Sequence, residues 1–288
     1  DILGTTDRSG RKSPNKGFMV RPLDGISTVQ AIGVNYSDDW GAKGKVTASY
    51  FFNRTDNRNT SQSDRQTFTS TDKLVLYNDE NRSKTLNLNH RFNSRIDYKF
   101  SDRHSVMMRT SFSLQDNNSR NELRSRTDNK FSDDDIRFVY RRRNFGHNNS
   151  DGYNVSNYLL YRYRLPGAKS HNLTVGAGGT YRSYEQLSRP RQYTFRDPDN
   201  IECDTSDYSS RNITRTDRDQ PGYDVNGNVS YTRSLSKRSR LSFEYRINYT
   251  DNSVERNTFV LTKENVFPDE RNPRQSTEYD YAYLTHRI

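Results

Sequence analysis

The stretch NLNHRFNSRIDYKFSDRHSVMMRTSFSL (residues 87–114) alternates polar and apolar side chains along two segments that flank a short turn. Odd-numbered positions of the first segment are polar or charged, and most of the even-numbered positions are apolar: Leu88, Phe92, Ile96, Tyr98 and Phe100. The apolar set continues after the turn: Val106, Met108, Phe112 and Leu114. A period of two is typical of a β-strand with one apolar and one polar face.

The composition is too polar for a water-soluble core of this size. Of 288 residues, 30% are hydrophobic and 28% are charged, and the mean hydropathy is −1.17. Such values approach those of disordered chains, yet the sequence holds 20 Tyr and 14 Phe, which disordered chains lack. The combination favours a structure with a thin apolar face, a polar face and long polar loops.

Charge and cysteine content limit which binding partners and cross-links the chain can have. The net charge of +10 suits nucleic acid, acidic lipid or anionic solute, but Lys and Arg do not cluster in one stripe, so we expect no nucleic-acid partner. The lone Cys203 excludes an internal disulfide, and we interpret it as a surface thiol.

No apolar run approaches the roughly 18 residues of a membrane helix. Without a signal peptide or initiator Met, the chain is expected to be a piece of a longer protein.

The alternation recurs along the chain and predicts nine strands. They span residues 26–37, 45–55, 83–100, 105–116, 153–165, 171–187, 223–234, 239–256 and 277–288, with a weaker candidate at 65–77. Short turns at 38–44, 101–104, 166–170 and 235–238 alternate with long polar loops at 56–82, 117–152, 188–222 and 257–276. Unequal hairpin ends are typical of outer-membrane β-barrels, with short periplasmic turns and long extracellular loops.

The fold class predicted is therefore all-β: an antiparallel up-and-down meander forming part of a transmembrane β-barrel. A soluble antiparallel sheet also alternates, but the predicted strands reach 12–18 residues, against about 5–6 in soluble proteins. The predicted domains are a Gly/Arg/Ser-rich extracellular loop segment at 1–24 and the partial barrel at 25–288, with outer-membrane lipid as a partner.

Parity assigns side chains to two faces. The lipid-facing prediction comprises Leu88, Phe92, Ile96, Phe100, Val106, Met108, Phe112, Leu241, Phe243 and Ile247. The lumen-facing prediction is a basic set: Arg91, Arg95, Lys99, Arg109, Arg162, Arg182 and Arg246. This set either contacts an acidic plug or anionic solute, or simply supplies the polar lining of a lumen. His90 and Ser94 interrupt the lipid-facing pattern.

Three stretches resemble the barrel of TonB-dependent outer-membrane receptors of Bacteroidetes, in the outer membrane protein beta-barrel family. They are GFMV (17–20), GISTVQAIGVNYSDDWGAKGKVTASYFFNRTDNRN (25–59) and NHRFNSRIDYKFSDRHSVMMR (89–109). The resemblance implies a barrel of about 22 strands, with a plug and a TonB box that these residues lack. It implies uptake of a nutrient ligand (siderophore, glycan or peptide), with TonB as a partner and a surface lipoprotein as a further candidate partner.

Enzymatic and metal signals are poor. The five His are not spaced as zinc ligands, and no nucleophile or phosphate-loop motif occurs, so we predict no enzyme, no metal and no cofactor. The acidic clusters lack the glycine turn and distal Glu of a calcium loop, and we interpret them as solvated loop charges: Asp133, Asp134 and Asp135, then Asp197, Asp199, Glu202 and Asp204. The segment 138–145 mixes cations with aromatics and is predicted to extend the barrel wall as a strand, with stacking on a sugar or binding of phosphate or lipopolysaccharide as the alternative. An adhesin or binding barrel without active uptake is the alternative function.

Many tyrosines stand near the ends of predicted strands. We interpret these rings as an aromatic girdle at the membrane surface: Tyr36, Tyr50, Tyr98, Tyr163, Tyr231 and Tyr249.

Overall fold

A computed structural model describes residues 24–70, 73–131, 135–166, 171–235, 239–262 and 265–288. The regular elements in these ranges are β1 (Ile26–Trp40), β2 (Gly44–Ser70), β3 (Lys73–Lys99), β4 (His104–Lys130), β5 (Ile136–Arg164), β6 (Asn172–Ser188), β7 (Arg191–Phe195), β8 (Ser210–Asp219), β9 (Gly222–Ser234), β10 (Arg240–Val260) and β11 (Thr277–Arg287). No helix long and apolar enough to cross a membrane occurs in this part of the chain.

The eleven strands form one antiparallel sheet in the order β1-β2-β3-β4-β5-β7-β8-β6-β9-β10-β11. Nine long strands follow one another as a meander, because β5 also pairs directly with β6. The short strands β7 and β8 are inserted at the loop end, where β7 pairs with β5, and β8 pairs with β6 and β10. The all-β antiparallel meander predicted from sequence is confirmed.

Pairing keeps like side chains on one face from strand to strand. Ile96 lies opposite Val46 on one side and Met108 on the other, and Met108 lies opposite Leu159. We call the face that carries these residues the outer face and the opposite one the inner face. The phase is kept through β6, β9, β10 and β11, so one set of apolar residues forms a continuous band.

This band, the apolar belt, occupies the outer face near the short-turn end. Its members are Ile32, Val34, Tyr36, Trp40, Val46, Ala48, Tyr50, Phe52, Phe92, Ile96, Tyr98, Val106, Met108, Phe112, Leu114, Tyr153, Val155, Leu159, Tyr161, Tyr163, Leu173, Val175, Ala177, Tyr181, Tyr223, Val225, Val229, Tyr231, Leu241, Phe243, Tyr245, Ile247, Tyr249, Ala282 and Leu284.

The strands β2 to β5 run far beyond the belt, and the predicted loops at 56–82 and 117–152 are wrong. Residues 53–70, 73–89, 115–130 and 136–152 are paired strands, which we call the four-strand wall. The weak candidate at 65–77 is a hairpin within it, and the segment 138–145 is part of β5, as predicted. The sequence shows little alternation here because polar residues occupy both faces of the wall.

Polar cross-strand contacts stabilise the wall in place of apolar packing. Asn118 donates to Asn149 Oδ1 over 2.6 Å, and Asn89 donates to Asn53 Oδ1 over 2.8 Å. Arginines also lie over neighbouring rings, with the Arg65 guanidinium 4.4 Å from the Tyr77 ring centroid. Paired side chains of this kind contribute roughly 0.2–1 kcal/mol each, which accounts for strands of 27 residues that continue far beyond the apolar belt.

Other boundaries also differ from the prediction. The predicted loop at 188–222 contains β7 and β8, and β10 continues to Val260 into the predicted loop at 257–276. Phe100 lies past the end of β3, in the turn, with its ring edge-on to Tyr98 at 5.0 Å. The segment 1–23, the GFMV stretch, and most of the turns at 166–170 and 235–238 lie outside the described residues.

Two glycines of β6 make room for an inner-face tyrosine. The Tyr158 side chain crosses β6 and donates its hydroxyl to Asn228 Oδ1 over 2.8 Å. A Cβ added at Gly176 would lie only 2.2 Å from both the Tyr158 hydroxyl and Asn228 Oδ1, and one at Gly178 would lie 2.8 Å from the Tyr158 ring. The absence of side chains at these positions therefore allows the contact that links β5 to β9.

We predict that Gly176→Ala lowers the free energy of unfolding by about 1–3 kcal/mol, since it crowds Tyr158 and breaks its hydrogen bond. Gly179→Ala is the matched control, because a Cβ there meets only the Asp224 carbonyl oxygen, at 3.7 Å. Urea unfolding of the chain folded in detergent micelles measures both. Equal losses for the two variants would contradict the role given to Gly176.

Candidate functional site

The predicted basic set lies on one face of the sheet. Arg95 is directly opposite Arg109, Arg91 is opposite Ser113, and Arg162 is opposite Ser105. The register places the remaining members on this same inner face: Lys99, Arg182 and Arg246. Most of the buried polar side chains of the strands also lie on this face, including Thr250 at 3% and Asn252 at 5% exposure.

Carboxylates on the same face pair with Arg95, Arg182 and Arg246. Arg95 donates to both oxygens of Asp97, at 2.5 and 2.9 Å, and Arg246 Nε lies 2.7 Å from Glu244. Arg182 lies 2.7 Å from Asp224, which also accepts a hydrogen bond from the Thr250 hydroxyl. The inner face is therefore a mixed polar surface, and excess positive charge is concentrated toward the short-turn end, at Lys99, Arg109 and Arg162.

A row of three tyrosines on β11 was missed in the sequence. Tyr279, Tyr281 and Tyr283 lie opposite Val254, Asn252 and Thr250, which places their rings on the inner face. Their ring centroids are 6.2 and 6.4 Å apart, with interplanar angles of 20° and 4°. The signal was the spacing Tyr-x-Tyr-x-Tyr, which puts rings on one face of a strand. Such a ladder presents flat aromatic faces beside the polar groups of β10.

On the outer face, the structure groups most residues of the lipid-facing prediction within the apolar belt. Many apolar side chains of the belt are exposed, with Leu241 at 53% and Phe243 at 56%. Leu88 lies at the belt edge between Arg54 and Asp116, and Phe100 lies in the turn. The six tyrosines of the predicted girdle all carry outer-face parity.

The two interruptions of the belt have polar partners. His90 Nδ1 is 2.8 Å from the Tyr50 hydroxyl, and its ring packs 4.8 Å from the Phe52 ring. Ser94 lies opposite Thr110, and Thr110 in turn donates to Asn157 Oδ1 over 2.7 Å. Polar side chains that fall within the belt, such as His90 and Thr110, thus contact polar groups of neighbouring strands.

The loop between β7 and β8 holds the lone cysteine. Cys203 is 5% exposed, so the predicted surface thiol is wrong, and burial raises the pKa of this thiol. Its backbone has a φ of 53°. Asp133 and Asp134 lie outside the described residues, and in the described part of the chain no three His, Cys, Asp or Glu side chains are placed to hold a metal ion.

Charge in the four-strand wall is organised around Glu122. This carboxylate accepts hydrogen bonds from Arg124 at 2.9 Å and Arg143 at 2.8 Å. Partial burial acts to raise the Glu122 pKa, but these two hydrogen bonds outweigh it and hold the pKa below its ordinary value. The Arg143 guanidinium also lies 4.7 Å from the Phe145 ring centroid. The aromatic and cationic side chains of the segment 138–145 therefore contact one another within the wall.

Comparisons with known proteins identify no relative. No family model matches the chain, and no curated protein matches it. Among solved structures, OccK5 (OpdH) of Pseudomonas aeruginosa shares 8% identity over 91% of this chain and 98% of that chain, with a TM-score of 0.13. The outer membrane protein OprD of the same organism shares 8% identity over 91% and 93%, with a TM-score of 0.12. Similarities this low carry no argument, so the interpretation rests on the sheet itself.

Double-mutant cycles distinguish the ion pairs of the inner face. For Arg182→Met with Asp224→Asn we predict a coupling energy of about 1–2 kcal/mol, since both side chains are partly screened from solvent, at 37% and 23% exposure. For Arg246→Met with Glu244→Gln, at 56% and 41% exposure, we predict about 0.5 kcal/mol or less. Unfolding in urea measures both cycles, and a larger value for the exposed pair would contradict this order.

Proposed function

We propose that the chain forms part of the wall of an outer-membrane β-barrel, with lipid at the apolar belt and a lumen at the inner face. The apolar belt is the observation that carries this proposal. Soluble monomers rarely expose continuous apolar surface of more than a few hundred Å², whereas the belt crosses nine neighbouring strands with side chains such as Leu159, 49% exposed, and Val225, 53% exposed.

The belt height supports a single membrane crossing. On β4 it runs from Val106 to Leu114, and on β10 from Leu241 to Tyr249. Nine strand residues span about 30 Å, and a tilt of roughly 35–45° reduces this height to about 21–25 Å, close to the apolar band of about 25 Å around outer-membrane barrels. Tyrosines near both margins, such as Tyr163 and Tyr249, suit the headgroup regions.

Within that frame, the sequence resemblance suggests the barrel of a TonB-dependent receptor that takes up a nutrient. The short turns would then face the periplasm and the four-strand wall the exterior. The unpaired edges of β1 and β11 would join further strands, since no edge is tolerated in lipid. A plug within the lumen, TonB in the inner membrane and a surface lipoprotein are the partners that this function implies.

A surface barrel that binds a polymer without uptake is the second candidate. The specific observation in its favour is the height of the four-strand wall, which extends β3 by 17 residues beyond the belt, from Asn89 to Lys73. Uptake distinguishes the two. If the protein is a TonB-dependent transporter, cells that lack either this protein or TonB should fail to grow on its nutrient. If it is an adhesin, cells that lack it should grow normally but lose surface attachment.

Membrane insertion is tested by two variants of β4, each of which places one arginine on one of its two faces. We predict that Met108→Arg costs about 2–4 kcal/mol of stability in lipid, since it places a cation in the belt, and that it lowers the amount of folded protein in the outer membrane. Ser111→Arg, on the inner face opposite Asn93, is the control and should assemble normally. Heat-modifiable gel migration of outer-membrane fractions measures both. Normal assembly of Met108→Arg would contradict the lipid-facing assignment.

A further inference from the structure

The outer face of the four-strand wall carries a strongly cationic groove above the belt. Its volume is about 760 Å³, and its charged lining comprises Arg58, Arg82, Lys84, Arg120, Arg189 and Arg191, with Glu122 as the carboxylate. Glu122 is already held by Arg124 and Arg143. Arg82 is paired with Glu80 over 2.7 Å, so the groove presents five cations that no carboxylate of its own lining neutralises.

Three of these cations stand directly opposite one another on adjacent strands. Arg58 of β2 pairs with Lys84 of β3, and Lys84 pairs with Arg120 of β4. Directly opposed like charges destabilise a sheet. Asp56 offsets part of this repulsion through long contacts of 3.7 Å to Arg58 and 3.9 Å to Lys84. Arg120, Arg189 and Arg191 have no carboxylate partner among the described residues. An anion bound in the groove would relieve the repulsion.

The groove also offers an apolar surface at its margin. Phe145 and Tyr193 line it, with ring centroids 6.4 Å apart and an interplanar angle of 81°. Aromatic faces beside cations suit a ligand with both sugar rings and anionic groups, because the rings contact the sugar C–H faces and the guanidinium groups bind phosphate or carboxylate.

The height of the groove above the belt limits which membrane lipids can supply that ligand. Arg58 is six residues beyond Phe52, the last belt residue of β2, which is about 20 Å along the strand and about 14 Å vertically at a tilt of roughly 45°. The headgroup zone of an ordinary bilayer extends only about 5–8 Å beyond the hydrocarbon. Phospholipid phosphates lie too low, whereas a membrane lipid with a large saccharide head group reaches this level.

We propose that this groove binds the anionic saccharide head groups of glycolipids in the leaflet around the barrel. The inference rests on the proposed membrane insertion, and it gives the four-strand wall a binding role on its lipid side, separate from any ligand in the lumen. Bound head groups would neutralise the opposed cations and stabilise the wall above the membrane surface.

The test compares two charge-matched triple variants of the full chain, isolated in mild detergent from outer membranes that contain phosphorylated lipopolysaccharide. Arg58→Gln/Lys84→Gln/Arg120→Gln removes the opposed row. Lys43→Gln/Arg103→Gln/Arg233→Gln removes three exposed charges at the short-turn end. Phosphate and sugar analysis measures the lipopolysaccharide that remains bound per chain. We expect about a tenfold reduction for the groove variant, since three exposed charge contacts are lost, and no change for the control.

If the groove variant folds in the outer membrane and retains as much lipopolysaccharide as the unaltered chain, this inference is wrong, but the proposed function still stands. Absence of the unaltered chain from the outer membrane would overturn the proposed function and this inference with it. Folding of the groove variant is checked by thermal unfolding in lipid-free detergent, where the removal of opposed charges should leave its midpoint equal or higher.

Titration of the unaltered chain with three probes identifies the source of the anion. Purified phosphorylated lipopolysaccharide should raise the thermal midpoint, and the groove variant should lose this response. Phosphatidylglycerol micelles and inorganic phosphate should have no comparable effect. An equal rise with either of them would overturn the proposal in favour of a general anion site.

Discussion

The structure depends on backbone pairing that keeps its phase from strand to strand throughout the belt. Because side chains alternate with a period of two, a slip of one residue between any two strands would turn every apolar side chain of that strand to the other face. Instead, the phase that joins Val46, Ile96, Met108 and Leu159 continues without a break to β11. The apolar belt, the polar inner face and the cationic groove are all products of this register.

Along a single strand, the outer face is apolar within the belt and polar beyond it. Within the belt, the outer face is apolar, and polar side chains such as His90 are paired with neighbours. Beyond the belt, both faces are polar, and amide pairs, ion pairs and arginine–aromatic contacts replace apolar packing. The change occurs within a few residues on β3, where Leu88 already lies between Arg54 and Asp116.

The sequence predicts the belt well and the wall poorly, and the difference has a physical cause. Alternation is visible only where the two faces carry different kinds of side chain, so the sequence places Phe92, Ile96 and Leu241 on one face, as the register does, but predicts a loop at 117–152. The inner-face parity of Arg95 and Arg182 follows from the same pattern, but their neutralisation by Asp97 and Asp224 depends on geometry. The groove could not be predicted, because Arg58, Lys84 and Arg120 are adjacent only through pairing between distant segments.

The central claim is that the belt faces lipid while the opposite face of the same strands does not. It is tested most directly on β10, with single cysteines at successive positions from 241 to 249 in a Cys203→Ser background. Spin labels at these positions, with the protein in outer-membrane vesicles, report the local access of oxygen, which partitions into lipid, and of a water-soluble nickel complex. The account predicts a period of two, with odd positions such as Phe243 and Ile247 favouring oxygen and even positions such as Glu244 and Arg246 favouring nickel. Equal access of the nickel complex to all nine positions would contradict it.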